Sequence, residues 1–206
     1  MKRIALLLIA MLTLGFAAQA QSTFSKGTTT ANLGLGIGGT LFNDTYSVLL
    51  PPVSLGIDHS VASGLFDGNG SIGIGGYLGA EVYRNKKYDH SVWSQTRIGP
   101  RASLHYQFVD RLDTYFSLML GLNIISWDYK VKVADVKVKD RDTEADFAWG
   151  AHIGARYYLS DRWAIMGEFG YGLTYLSLGA TYRFYVLAKH YNKSRRRLTG
   201  CLLLLR

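Results

Sequence analysis

The stretch Thr174–Phe184 constrains the fold of this chain more than any other. Leu176, Leu178, Ala180, Tyr182 and Phe184 alternate with Tyr175, Ser177, Gly179, Thr181 and Arg183. A period of two, apolar on one face and small or polar on the other, marks a strand set between lipid and a barrel interior. The pattern recurs upstream, where Leu33, Leu35 and Ile37 oppose Gly34, Gly36 and Gly38. It recurs again where Phe116, Leu118, Leu120, Leu122 and Ile124 oppose Tyr115, Ser117, Met119, Gly121 and Asn123. The segment 97–108 fixes which face is which. Arg97, Gly99, Arg101, Ser103 and His105 share one side, and Ile98, Ala102, Leu104, Tyr106 and Phe108 the other. An arginine at mid-membrane on the lipid face costs about 2 to 4 kcal/mol, so these cations must point inward.

Eight segments of this kind are expected, at residues 30–39, 53–61, 71–83, 93–108, 113–128, 146–159, 162–171 and 174–184. A lipid-spanning strand takes about 9 to 11 residues, and the expected fold is all-β: a transmembrane antiparallel up-and-down β-barrel of eight strands, formed by residues 21–184 as one domain. With the N-terminus in the periplasm, the gaps 40–52, 84–92 and 129–145 and a tight turn near Gly172 face outward, and 62–70, 109–112 and 160–161 face the periplasm. Short periplasmic turns with longer external loops suit such a barrel; the long 62–70 connection and the short final loop depart from it. Aromatic residues gather near the strand ends, with Trp93, Trp127, Tyr129, Phe147, Trp149 and Tyr171 toward the outside and Tyr106, Phe108, Tyr157, Trp163, Tyr182 and Phe184 toward the periplasm. This distribution predicts two interfacial girdles.

The N-terminus predicts the compartment. Lys2 and Arg3 precede an apolar run at 4–16, and Ala18-Gln19-Ala20 follows as a small-x-small site. Residues 1–20 therefore read as a secretory signal peptide cut between Ala20 and Gln21, too short in its apolar run for the ~20 residues of a spanning helix. Cys201 is the sole cysteine, which excludes an intramolecular disulfide framework. The formal charge of +8 is concentrated at the ends. Lys2, Arg3 and six basic residues after Phe184 account for eight of the 23 Lys and Arg, leaving 15 against 15 Asp and Glu. The body is thus formally neutral, and nucleic acid is not an expected partner.

The segments Gly150-Ala151-His152-Ile153-Gly154-Ala155-Arg156-Tyr157-Tyr158, Glu168-Phe169-Gly170-Tyr171-Gly172 and Gly179-Ala180-Thr181-Tyr182-Arg183-Phe184 resemble the small outer-membrane β-barrel domain proteins common in Bacteroidetes. More distantly, the chain resembles OmpX-like and OmpA-like eight-stranded barrels. The resemblance spans about residues 30–184. It implies the location, the cell outer membrane, and the fold; it implies no activity.

An eight-stranded barrel is only wide enough for its own inward side chains. The inward set includes Asp58, Glu81, Arg97, Arg101, His105, His152, Arg156, Glu168 and Arg183. Buried charges persist when paired, so Glu81 and Glu168 are expected among the arginines in a lumenal polar network that plugs the barrel. A narrow proton or solute path along the same column is the sharper alternative. Catalysis would need a constellation such as Ser103, His105 or His152 and Glu168, which nothing in their spacing demands. No G-x-S-x-G, H-E-x-x-H or phosphate-binding glycine loop occurs. No catalytic residue, metal site or cofactor is therefore expected.

Between residues 128 and 145, Tyr129, Val131, Val133, Val136 and Val138 alternate with Lys130, Lys132, Lys137 and Lys139 about Ala134-Asp135. This predicts an external hairpin that continues the fifth and sixth strands. Its edge and lysines suit lipopolysaccharide or a surface partner added by strand pairing, or simply keep the edge from aggregating. Phe184 suits a terminal-strand signal read by barrel-assembly machinery. Residues 185–206, with Arg195-Arg196-Arg197 and the run Leu202-Leu203-Leu204-Leu205, are expected to be an unstructured basic extension, with a basic membrane-surface anchor as the alternative. The expected role is non-catalytic, in envelope structure, adhesion or surface binding. A narrow porin-like transport barrel is second, and a secreted lipocalin-like barrel, aliphatic inside and charged outside, is third.

Overall fold

A computed structural model of the chain describes residues 23–39, 46–85, 91–133 and 136–184. Eight strands form in order: β1 Thr29–Gly39, β2 Tyr46–Leu65, β3 Gly70–Asn85, β4 Val92–Val109, β5 Leu112–Val133, β6 Val136–Tyr158, β7 Trp163–Tyr171 and β8 Thr174–Phe184. Each pairs antiparallel with the next, and β8 returns to β1 over the register Thr29↔Phe184 to Gly39↔Thr174, closing the barrel. Closure removes every free edge within the ring, the condition for a sheet to sit in hydrocarbon. The predicted cleavage residues Ala20 and Gln21 and the extension 185–206 lie outside the described residues.

The period of two is realised in the expected sense. Leu33, Leu120 and Leu178 are 60%, 57% and 52% exposed on the outer wall, whereas Arg156 is 0% exposed within. A lipocalin-like barrel would show the reverse, so that reading falls.

Apart from β5 and β6, which extend into the expected hairpin, the largest departures from the expected bounds are at the two ends of β2. The ladder of β2 with β3 runs to Leu65↔Gly70, leaving only residues 66–69 as the turn, because register shifts between Ser60 and Ala62 and between Ser63 and Leu65 absorb extra residues as bulges. Positive φ at Phe66 (58°) and Gly68 (95°) completes the reversal. At its other end β2 starts at Tyr46 rather than near Val53. Pro51 and Pro52 have no N–H to give, and the ladder slips past them through shifts on either side of Leu50.

Glycine opens room where strands crowd. A Cβ on Gly99 would lie 2.1 Å from the Leu120 carbonyl oxygen, and one on Gly121 equally close to that of Ile98. The two backbones can meet across β4 and β5 only without side chains.

One end of the barrel carries both ends of the described chain and the turns at 66–69, 110–111 and 159–162; the far end carries the remaining connections. Toward the first end, outward rings cluster: Tyr106 with Phe108 at 4.7 Å, and Tyr182 with Trp163 and Phe184 at 4.9 Å each. Toward the far end, Trp149 meets Tyr171 at 4.7 Å. Trp93 and Trp127 do not join that girdle. They share the parity of inward Arg97 and Tyr115 and are half-buried, and Trp93 lies 5.7 Å from the buried ring of Tyr83. Strand parity overrides the aromatic preference for the interface.

Beyond the barrel rim, β5 and β6 continue as a paired ladder from Asp128↔Arg141 to Val133↔Val136. β4 leaves β5 at Val92↔Asp128, and β7 leaves β6 at Ala151↔Tyr171. Among the described residues, β6 therefore runs past the end of its ladder with β7 by residues 136–150, roughly 50 Å of strand at about 3.3 Å per residue.

Candidate functional site

Strand parity alone delivers the lumenal side chains, and the barrel radius then forces them together. Nearest the end that carries both ends of the described chain, Thr23 and Phe24 turn inward. Phe24 is 1% exposed, its ring stacked on His105 at 4.0 Å. Thr23 is anchored twice: its N–H donates to Gln107 Oε1 (2.6 Å), and its carbonyl accepts from Arg183 Nη1 (2.7 Å). Arg183 also donates to the Asp161 carbonyl and lies over the Tyr158 ring at 4.5 Å. It is thus at the mouth of the lumen.

The next layer is a closed ionic cluster. Arg156 donates from Nη2 to Asp58 and from Nη1 to Asp113 (3.2 Å), and its guanidinium lies 4.3 Å from the Tyr115 ring centre. All three charged groups are 0 to 1% exposed. Asp58 also accepts from Asn32 Nδ2 (3.3 Å) and Ser103 Oγ (3.5 Å), while Thr181 donates to Asn32 Oδ1 (2.8 Å). Above it, Arg101 Nη2 donates to Glu168 Oε1 at 2.5 Å, and Tyr115 Oη donates to the same oxygen at 2.7 Å. His152, 7% exposed, stands 6.5 Å from the Tyr77 ring rather than in an ionic pair with a carboxylate. A third layer holds Glu81, Gln95 and Arg97. The Gln95 amide bridges them, its nitrogen 3.0 Å from Glu81 Oε1 and its oxygen 3.0 and 3.2 Å from the Arg97 guanidinium. Tyr83 Oη donates to Glu81 Oε2 (3.0 Å).

The structure thus brings the predicted Arg101, Arg156, Glu168 and His105 into contact layers, sets Glu81 and Arg97 one layer higher, and puts Arg183 at the mouth. Sequence reasoning missed Asp113, Tyr115 and Gln95 as partners. Asp113 was legible, since it shares the parity of Tyr115 and Ser117 one step earlier in β5. Phe24 precedes the first strand and carries no periodic signal.

Ser103, His105 and Asp113 have the connectivity of a nucleophilic triad. Ser103 Oγ is 2.8 Å from His105 Nε2, and Asp113 lies 2.9 and 3.1 Å from Nδ1, which carries the hydrogen because a carboxylate can only accept. The acid is Asp113, not Glu168, and His152 is elsewhere. No substrate can approach, because the serine is 4% exposed and Phe24 covers the imidazole. Among the described residues, no group of three or more His, Cys, Asp or Glu is placed to hold a metal ion.

The raised hairpin is the other feature. Residues 141–147 of β6 are exposed throughout, with Asp142, Glu144 and Asp146 on one face and Arg141, Thr143, Ala145 and Phe147 on the other. Arg141 grips Asp128 through Nε (2.6 Å) and Nη2 (2.9 Å). The backbone of the predicted Lys130, Lys132, Lys137 and Lys139 pairs as a hairpin, Lys130↔Lys139 and Lys132↔Lys137; their side chains lie outside the described residues.

A family model described as outer membrane protein beta-barrel domain matches residues 6–187. No curated protein sequence matches the chain. Among solved structures, similarity is found to Ail, the attachment invasion locus protein of Yersinia pestis, at 13% identity over 77% of this chain and 99% of that one, with a TM-score of 0.46. Ail in complex with the heparin analogue sucrose octasulfate is similar at 12% identity, with the same coverage and a TM-score of 0.47. The N-terminal β-barrel domain of Pseudomonas aeruginosa OprF is similar at 14% identity over 77% of this chain and 98% of that one, with a TM-score of 0.37.

Proposed function

The chain belongs to the outer membrane protein β-barrel domain family and resides in the outer membrane, and from that premise we propose that it is a non-catalytic, non-conducting barrel that acts through its outer surface. The supporting observation is the packing of the lumen. Arg156 with Asp58 and Asp113, and Arg101 with Glu168, cross the bore in successive layers of fully buried side chains. Phe24 and Thr23 close one mouth. A solute would have to break each layer in turn, so transport ranks below a structural or interfacial role.

With the short turns in the periplasm, the β5–β6 hairpin projects from the cell, and the part of β6 beyond its ladder with β7 suits the addition of a strand. Asp142, Glu144 and Asp146 favour a partner with basic residues at alternate positions. The lysines of the tip suit lipopolysaccharide phosphates. Residues 1–20 act as the export signal, cut between Ala20 and Gln21, and barrel-assembly machinery inserts the mature chain.

Two measurements test this reading. Reconstituted in planar bilayers, the protein is expected to give no steady single-channel current; stable steps would favour the porin-like alternative. Joining Asp128 to Arg141 by an Asn-Gly turn trims the hairpin at a paired position. The trimmed barrel is expected to fold and insert but to lose attachment of bearing cells to surfaces and binding of lipopolysaccharide; undiminished attachment and binding would remove the hairpin from the account.

A further inference from the structure

The lipid-facing wall is not evenly ridged. Pairing register aligns Leu104, Phe116, Ile153, Phe169 and Leu176 in one row across β4 to β8, all of them exposed. The next row toward the end that carries both ends of the described chain runs Tyr106, Thr114, Ala155, Gly167 and Leu178, and its three middle side chains are too short to fill it. One row further, Tyr157 and Ile165 rise again, 46% and 55% exposed. Over the short row, against the Leu104-to-Leu176 ridge and beside Phe66, Tyr106 and Phe108, lies a trough of about 640 Å³, within the range of small-molecule sites.

Its end at β4 is closed deliberately. Tyr106 stands in the trough row opposite Thr114, and Phe66 packs on it with ring centres 6.3 Å apart. Phe66 holds φ at +58°, an unusual conformation for a bulky residue. Tyr106 Oη donates to Asp67 at 2.7 Å, tying that turn to the wall. The trough itself is apolar. The Thr114 hydroxyl is used by the Tyr106 carbonyl (2.6 Å), while Tyr115 and Glu168 on its floor turn their polar ends to each other inside the lumen.

We propose that this trough binds one acyl chain of a phospholipid from the leaflet on the side of Thr23 and Phe184. The wall meets hydrocarbon by virtue of the fold, so no protein partner is needed to cover the trough. With the Glu168 carboxylate turned into the lumen, the apolar surface the trough presents selects a chain over a headgroup. Its position, adjacent to the 66–69 and 110–111 turns and the aromatic cluster at that end, selects the nearer leaflet. Only the leaflet rests on the orientation proposed above; the site rests on the outward parity of its ridges. Running along the hydrogen-bonding direction, it holds the chain aslant to the membrane normal, so a bound phospholipid is distinguished from bulk lipid by its residence time.

The test fills the trough. A Cβ on Gly167 meets nothing closer than Leu178 Cδ2 at 3.5 Å, so Gly167→Leu places its side chain in the trough without displacing backbone. Gly76 lies on the opposite wall with its nearest neighbour at 3.9 Å, and Gly76→Leu is the matched control. The full chain is extracted, stripped of lipid, incubated with phosphatidylethanolamine and weighed by native mass spectrometry, with heat-modifiable gel mobility reporting folding. Retention of one phospholipid is expected, lowered about tenfold by Gly167→Leu and unchanged by Gly76→Leu; Ala155→Leu serves in its place should Gly167→Leu not fold. The proposal is overturned if the unaltered chain retains no phospholipid or if Gly76→Leu loses as much as Gly167→Leu. It is equally overturned if lipopolysaccharide is retained in preference, or if a doubled mass that Gly167→Leu abolishes shows the trough to be covered by a second copy.

Discussion

Replacing Arg156 with methionine keeps the length of the stem and removes the charge that two buried carboxylates share. At the 3.2 Å separation from Asp113, Coulomb's law gives about 5 kcal/mol of attraction at an effective dielectric of ~20. Asp58 and Asp113 are 0% and 1% exposed, so without the guanidinium two carboxylates stand close together with no water to screen them. Removing one member of a buried pair costs about 3 to 5 kcal/mol, whereas an exposed pair is worth about 0 to 1. Arg156→Met is thus expected to lose about 3 to 5 kcal/mol of unfolding free energy, measured by guanidinium titration of tryptophan fluorescence after refolding into lipid vesicles. The triple variant Arg156→Met, Asp58→Asn, Asp113→Asn, which removes the stranded charges as well, is expected to recover at least half of that loss. A single-variant loss below about 1 kcal/mol, or a triple variant weaker than the single, would refute the reasoning that the cluster is a desolvated ionic unit.

Gly99→Ala is expected to destabilise the barrel by about 1 to 3 kcal/mol through the clash with the Leu120 carbonyl, while Gly76→Ala stays within about 0.5; equal effects in the same titration would count against the close approach of β4 and β5. Leu120→Arg, on the outer wall, is expected to cost about 2 to 4 kcal/mol in vesicles; a neutral result would place that face out of the hydrocarbon. The hydrogen bond from Tyr106 holds the Asp67 carboxyl below its ordinary value. Its contribution to the 66–69 turn is therefore present above the ordinary carboxylate range and lost as pH falls through the lowered value. Carbon-13 NMR titration of Asp67 is expected to show Tyr106→Phe moving the midpoint upward, and an unmoved midpoint would contradict that cause.

Much of the barrel was written in strand parity. Leu33, Leu118 and Leu178 face out and Arg97, Arg101 and Arg156 face in because a side chain every second residue leaves no third option, and lipid penalises the opposite choice. Parity says which way a residue points but not which neighbour it meets. That depends on the stagger of strands distant in sequence, so Arg156 finds Asp58, 98 residues away, which no local pattern encodes. The bulges beside Leu50 and Ser60 were invisible for the same reason, and the position of Phe24 followed from the space left at the lumen mouth. The trough was hidden because Thr114, Ala155 and Gly167 come from three strands and align only after pairing.

The central claim is the direction of each side chain along the strands. It is tested most directly by spin labels placed one at a time on Cys at positions 115 to 122, in a Cys201→Ser background reconstituted in lipid vesicles, with oxygen accessibility read by electron paramagnetic resonance. The account predicts high accessibility to lipid-dissolved oxygen at 116, 118, 120 and 122 and low values at 115, 117, 119 and 121. The opposite phase, or no period of two, would contradict it.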